Sequence, residues 1–264
     1  MARRNGGEVG LQARGSHWLR PVSVTRKLSK ALRVLASLDR CWWRALCRGV
    51  APSLEHLQVL RMMSAETVVD VGANRGQFSL VARHCFPQAK IVTFEPLAEP
   101  AKRFRSIFAN DRAVILHQIA VGPKPGEAII HLSRRDDSSS LLPITALQNR
   151  IFPGTQESGT ETIKVGRLEE FVSAEEIEPP ALLKLDVQGY ELEALRGCES
   201  LLPRFAWVYC ECSFVELYAG QALADEVIAW LRERGFILNG VYNMAHDRTG
   251  RAVQADFLFE QQAR

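Results

Sequence analysis

Residues 67–76 read Thr-Val-Val-Asp-Val-Gly-Ala-Asn-Arg-Gly, and Phe-Glu-Pro follows at 94–96. Val68, Val69 and Val71 predict a buried strand, Gly72 to Gly76 a tight turn, and Gln77 to Cys85 the helix after it. Glycines at that turn let the backbone approach a ligand closely, and the N–H groups of the next helix line the approach. A second strand, Lys90 to Phe94, ends in Glu95, where a carboxylate is placed to accept both hydroxyl hydrogens of a ribose. A dinucleotide site would carry G-x-G-x-x-G. Here the spacing is Asp70-x-Gly72-x-Asn74-x-Gly76, with an acid ahead of the first glycine. That anion would repel a pyrophosphate, but it suits the ammonium of an amino-acid tail, directly or through a water. S-adenosylmethionine is the ribose ligand with such a tail. The candidate cofactor-binding residues are therefore Asp70, Gly72, Ala73, Asn74, Gly76, Glu95 and Pro96. The glycines alone would fit a turn built only for packing; it is the two acids with them that point to a ligand.

Lys184 and Asp186 interrupt an apolar strand at Leu182–Val187, and Gln188-Gly189 turns the chain into a helix from Tyr190 to about Gly197. Alternation puts Lys184 and Asp186 on one sheet face near the carboxyl edge, where α/β sheets hold their ligands. A carboxylate there is costly to bury unless paired, and Lys184 is the partner at hand. Asp186 is the first candidate for a base or for a group that positions an acceptor. Glu191 is a second, able to position the acceptor, to support the loop, or simply to complement a helix dipole. His117 and His131 are alternative bases, and Asp186 with Glu211 could share a cation; the spacing leaves a metal undecided.

Val-Asp-Val-Gly-Ala-Asn-Arg-Gly-Gln-Phe-Ser (69–79), Phe-Glu-Pro (94–96), Ser-Ser-Ser-Leu (138–141) and Lys-Leu-Asp-Val-Gln-Gly-Tyr-Glu (184–191) resemble the FkbM family of methyltransferases. The likeness runs from Thr67 to the C-terminus. It implies an S-adenosylmethionine-dependent O-methyltransferase acting on hydroxyls of sugars, glycans or natural products. The fold it implies is α/β, a doubly wound, mostly parallel, seven-stranded sheet of the Rossmann-like class I type. One departure is Gln118, where the family often has Asn.

The elements that would hold these residues are readable in outline. Helix Pro100–Ala109, a third strand Ala113–Val121, an extra strand Glu127–Ser133, a short strand Thr162–Val165 and a helix Arg167–Val172 are expected. Strand Phe205–Cys212, helix Ala222–Arg234 and a closing antiparallel pair, Phe236–Val241 with Ala255–Glu260, follow. Between them, 134–159 is polar, Ser-rich and broken by Pro143, Pro153 and Gly154, and reads as an acceptor-binding lid.

With 264 residues, the chain has room for one α/β domain at 54–264 and a basic extension at 1–53. The extension holds eleven Lys and Arg against Glu8 and Asp39, a net +9 that leaves −6 for the rest of a chain whose total is +3. The domain thus lacks the basic footprint of a nucleic-acid enzyme. Six cysteines without a small-domain disulfide pattern and no run of 18 apolar residues fit a cytoplasmic protein with reduced thiols. Cys210-x-Cys212 reads as alternation on a strand rather than half a metal site. From Arg26 to Arg48 a helical period places Leu28, Leu32, Leu35, Leu38, Trp42 and Leu46 opposite six basic residues. Docking on the domain or a second subunit, peripheral contact with an anionic membrane, and organelle targeting all remain open for it. Two other functions stay in play, a nucleic-acid or protein methyltransferase and a non-catalytic binding module.

Overall fold

The computed structural model describes residues 39–262. Most of the basic amphipathic period at 26–48 lies outside them. Its described end is helix α1 (Arg40–Cys47), capped by Asp39, whose side chain accepts from Cys41 N and Trp42 N. Trp42 and Ala45 are buried with Leu80, Phe104 and Ile107, and Trp42 Nε1 donates to Leu80 O at 3.0 Å. Trp43 stays on the surface. A single 3₁₀ turn (Leu54–His56) then leads into the short helix α2 (Leu57–Leu60).

The main sheet has seven strands: β1 (Thr67–Val71), β2 (Lys90–Phe94), β3 (Val114–His117), β7 (Ala181–Leu185), β8 (Trp207–Ser213), β9 (Phe236–His246) and β10 (Ala252–Gln261). Their spatial order is β3-β2-β1-β7-β8-β10-β9. All pairings are parallel except those of β10, which runs antiparallel to both neighbours. The doubly wound, seven-stranded expectation holds. β1 and β7 are buried along their whole length, which is why they read as continuous apolar runs and not as alternation. Helices α3 (Gln77–Cys85), α4 (Ala98–Phe108), α6 (Glu191–Gly197) and α7 (Ala224–Glu233) cover the two faces.

A second, three-stranded sheet was only partly expected. The third strand foreseen at Ala113–Val121 breaks at 118–119: β3 stays in the main sheet, and β4 (Ala120–Val121) crosses to pair in parallel with β6 (Glu157–Gly166). β5 (Gly126–Ser133) pairs antiparallel with β6. The helix foreseen at Arg167–Val172 is a 3₁₀ turn, Leu168–Glu170. The long loop at 134–159 holds a 3₁₀ turn (Asp136–Ser138), helix α5 (Ala146–Ile151) and the start of β6. Its first part is fastened by a bridge between His131 and Ser140.

Candidate active site

Register assembles the site. Asp70 of β1 lies beside Lys184 of β7, Lys184 beside Tyr209 of β8, and Glu211 of β8 beside Asp256 of β10. Because side chains alternate along each strand, Asp70, Lys184, Asp186, Tyr209, Glu211 and Asp256 share one face toward the carboxyl edge of the parallel strands. A cleft of about 400 Å³ opens there.

The β1 turn is tied to the strands on either side of it. Gly72 N and Ala73 N both donate to Phe94 O at 3.0 Å, and Asp186 N donates to Val71 O at 3.1 Å. A Cβ on Gly72 would stand 1.9 Å from Asp186 O, and its φ of +84° also favours glycine. Glycine here lets two catalytic-edge loops touch. Asn74 N donates to Glu95 Oε2 (2.9 Å) and Leu97 N to Glu95 Oε1 (2.8 Å), so the second-strand acid is fixed in orientation. The N–H groups of Arg75 and Gly76 find acceptors on Asn74, Gln77 and Ala73. The turn's N–H groups at 72–76 are therefore held by the protein, and it is the turn's surface that meets the cleft.

Gln188 is the hub of the opposite wall. With φ at +56°, it turns its amide back over the strand ends. Its Nε2 donates to Asp186 Oδ1 (2.7 Å) and Glu211 Oε2 (3.0 Å), and its Oε1 accepts from Tyr218 OH (2.7 Å). Ser140 Oγ donates to the Gln188 carbonyl at 2.6 Å, and Tyr218 OH also lies 3.2 Å from Ser138 O. Ser138 and Ser140 are buried, so the serine run is a packed wall of the cleft. The amide nitrogen of Gln188 occupies the point between Asp186 and Glu211 where a shared cation would sit. Among the described residues, no group of three or more His, Cys, Asp and Glu is arranged to hold a metal ion.

The charges differ sharply from one carboxyl to the next. Burial works to raise the Asp186 carboxyl, but the Lys184 ammonium and the bond from Gln188 outweigh it and hold the group below its ordinary value. Lys184 Nζ lies 3.1 Å from Asp186 Oδ2 and 3.8 Å from Asp70 Oδ1. Burial acts to lower the Lys184 ammonium, yet Asp186 and Asp70 raise it on balance. Glu211 is pushed well above the usual range by burial and by the carboxyls of Asp186, Asp256 and Glu191. Two neighbouring carboxyls are thus pushed in opposite directions, Asp186 toward the ionised form and Glu211 toward the protonated one.

The Methyltransferase FkbM domain matches residues 70–238 of this fold. The chain belongs to the FkbM methyltransferase family. Membership and fold together imply use of S-adenosylmethionine. Among curated relatives, the 2-O-methyltransferase NoeI of Sinorhizobium fredii is 24% identical over 174 residues, covering 63% of this chain and 72% of its own. The hexuronic acid methyltransferase AglP of Haloferax volcanii is 31% identical over 159 residues, covering 57% and 55%. A crystal structure of a methyltransferase FkbM from Methylobacillus flagellatus aligns with a TM-score of 0.47 at 11% identity, over 89% of this chain and 60% of that one.

Of the residues foreseen for this FkbM methyltransferase, Gly72, Ala73, Asn74, Glu95, Pro96 and Asp186 line the cleft. Asp70, Gly76 and Glu191 stand behind it. Asp70 is fully buried, accepting from Ser79 Oγ at 2.6 Å beside Lys184. Gly76 packs on Phe104 and Phe108. Glu191 Oε1 accepts from Val187 N (3.0 Å) and Gly189 N (3.1 Å), clamping the Gln188 loop from beneath. His117 stacks on Phe94, and His131 pairs with Glu157; neither lines the cleft. Gln118 accepts from Arg105 at the surface, away from it. Cys210 and Cys212 are buried free thiols. Sequence reasoning missed His56, which lines the cleft, and Tyr209, Asn243 and Asp256 around it. No spacing signal joins them, since His56 lies 153 positions from Tyr209 and 187 from Asn243.

Proposed function

We propose that this FkbM methyltransferase transfers the methyl group of S-adenosylmethionine to a hydroxyl of a sugar, glycan or small natural product. One observation carries the reading: the β1 turn with Glu95, and the ionised Asp186, open onto the same cleft of about 400 Å³. That volume suits a small-molecule site. The fit to the donor is supported by two features. Gly72 is pressed so closely on the Asp186 carbonyl that any side chain there would force the donor-side turn away from the Asp186 loop. Glu95 lines the cleft at the tip of the second strand, the place of a ribose-binding carboxylate, and is fixed there by two backbone bonds.

The donor supplies an activated methyl on a sulfonium; the protein's task is alignment and proton removal. Gly72, Ala73, Asn74, Glu95 and Pro96 would hold the donor. Asp70 supports the turn from behind, through Ser79 and Lys184. Asp186, a third exposed beside Lys184, would receive the acceptor hydroxyl as a hydrogen-bond acceptor. Its lowered carboxyl makes it a firm anchor and a weak base. Glu191 acts through the loop it clamps. The segment 134–159, walled by Ser138–Ser140, would shape the acceptor pocket. Relatives named for 2-O-methylation and for hexuronic acid methylation favour a carbohydrate hydroxyl. Among the described residues, no helix is long and apolar enough to cross a membrane.

Incubating the protein with methyl-labelled S-adenosylmethionine and a panel of saccharides, uronic acids and hydroxylated natural products tests the reading. Label on an ether oxygen of any panel member supports it. Label confined to RNA or protein included in the same panel would replace it.

A further inference from the structure

We propose that His56 is the general base of the reaction, taking the acceptor hydroxyl proton on its Nε2. The proposal rests on the methyl-transfer reading of the cleft and adds a group to it, because both Asp186 oxygens are already engaged, Oδ2 by Lys184 Nζ at 3.1 Å and Oδ1 by Gln188 Nε2 at 2.7 Å.

The argument begins with how His56 is held. It ends the 3₁₀ turn Leu54–His56, and its ring packs edge-on against Phe78 (5.3 Å) and Tyr209 (5.6 Å), both of which are buried. Its Nδ1 lies 3.1 Å from Tyr209 OH and 3.5 Å from Asp256 Oδ2. Tyr209 has one hydroxyl proton and donates it to Asp256 Oδ2 at 3.1 Å, the carboxyl that Asn243 Nδ2 also binds at 2.7 Å. With that proton spent, the phenol oxygen is an acceptor, for Asn243 Nδ2 at 3.3 Å and for the nearer His56 Nδ1; Asn243 Nδ2 also lies 3.4 Å from Nδ1, but the Tyr209 and Asp256 oxygens together favour the ring proton on Nδ1. The tautomer leaves a bare lone pair on Nε2. This nitrogen has no hydrogen-bond partner among the described residues, nor is it sealed off from solvent, and the ring lines the cleft with Lys184 and Asp186.

The charge environment keeps the ring neutral. Burial lowers its proton affinity, Lys184 lowers it further, and Asp256, Glu55 and Asp186 raise it, with a net fall below the ordinary histidine value. Tyr209 remains a phenol, since burial and Asp256 push its ionisation far upward. Asp256, itself raised by burial, accepts from Asn243 Nδ2, a bond that works against that rise. In the step, the acceptor oxygen bonds to the methyl carbon as the carbon–sulfur bond breaks. Sulfur keeps that electron pair, and the hydroxyl proton passes to Nε2 and then to solvent. His56, Asn243 and Asp256 all lie outside the residues that the family matches. The base is thus supplied by segments flanking the shared core.

Two measurements on the full chain test this. In ¹⁵N spectra of the imidazole rings, assigned with His56→Gln, His56 should be neutral at pH 7 with its proton on Nδ1, and Tyr209→Phe should shift the tautomer balance. A proton on Nε2 in the native protein would overturn the proposal, whether or not an acceptor is known. In methyl transfer to whichever panel acceptor is labelled, His56→Gln should lose at least about 100-fold in kcat. KM and S-adenosylhomocysteine affinity should stay within about threefold, and the acidic limb of the native pH–rate profile should vanish. Imidazole added to His56→Ala should restore part of the rate. A Gln variant with near-native kcat, or one whose acidic limb persists, would also overturn it. Failure of the native protein to bind S-adenosylhomocysteine would refute the methyl-transfer reading instead, and the ring spectra would still decide the tautomer.

Discussion

Replacing Glu191 by Gln separates its charge from its hydrogen bonds. The carboxyl is 5% exposed and sits beneath the loop that carries Gln188. Burial, with the nearby charge of Asp186, raises it from 4.5 to about 7 against the opposing backbone bonds. A displacement of that size corresponds to roughly 3 kcal/mol, at about 1.4 kcal/mol per pH unit. The folded value lies above the unfolded one, so the stabilising contribution is complete below about pH 4.5 and is lost as pH rises through about 7. Gln keeps an oxygen for Val187 N and Gly189 N but never ionises. In urea unfolding followed by intrinsic fluorescence, the stability of Glu191→Gln relative to the native chain should therefore climb by about 3 kcal/mol between pH 4.5 and pH 8. Glu191→Ala removes the oxygen as well and orphans two N–H groups, costing about 1–3 kcal/mol at low pH, where the charge plays no part. A stability gap for Glu191→Gln that stays constant across this pH range would refute the reasoning.

Gly72→Ala should cost about 3 kcal/mol or more in the same unfolding assay, because its Cβ would meet the Asp186 carbonyl at 1.9 Å; near-native stability would mean the two loops part readily. Glu95→Gln should weaken S-adenosylhomocysteine binding about tenfold by calorimetry, through loss of a charge-assisted bond to ribose. Unchanged affinity would remove Glu95 from the ribose. Asp186→Asn should leave donor affinity within about threefold while turnover falls at least about 100-fold, as expected when an acceptor is no longer held in line. An active Asn variant would rule Asp186 out as the acceptor's anchor.

Legibility in the sequence followed the length scale of each interaction. The β1 turn was readable because Asp70, Gly72 and Gly76 lie within one strand–turn–helix, and the Lys184–Asp186 pair because strand alternation alone puts both on one face. What lay behind that face was less so. Asp70 and Glu191 are recognisable as carboxyls, but only packing decides that one is buried against Ser79 and the other clamps Val187 and Gly189. The sequence shows only the end of β6, because the strand's first six residues are exposed and carry no apolar pattern. The break at 118–119 was hidden because β3 and β4 each continue the same apolar run into different sheets. Gln188 looked like a turn residue; its role as hub depends on Glu211, Tyr218 and Ser140, up to 48 positions away. His56 is the extreme case, since the polar partners of its ring, Tyr209, Asn243 and Asp256, all lie more than 150 positions away.

The most direct test of the account is calorimetric titration of the purified protein with S-adenosylhomocysteine, with NAD as the matched control. Binding in the micromolar range to S-adenosylhomocysteine alone is the predicted result. A folded sample that binds neither, or that binds NAD instead, would contradict the assignment of the Gly72–Glu95 cleft to a methyl donor.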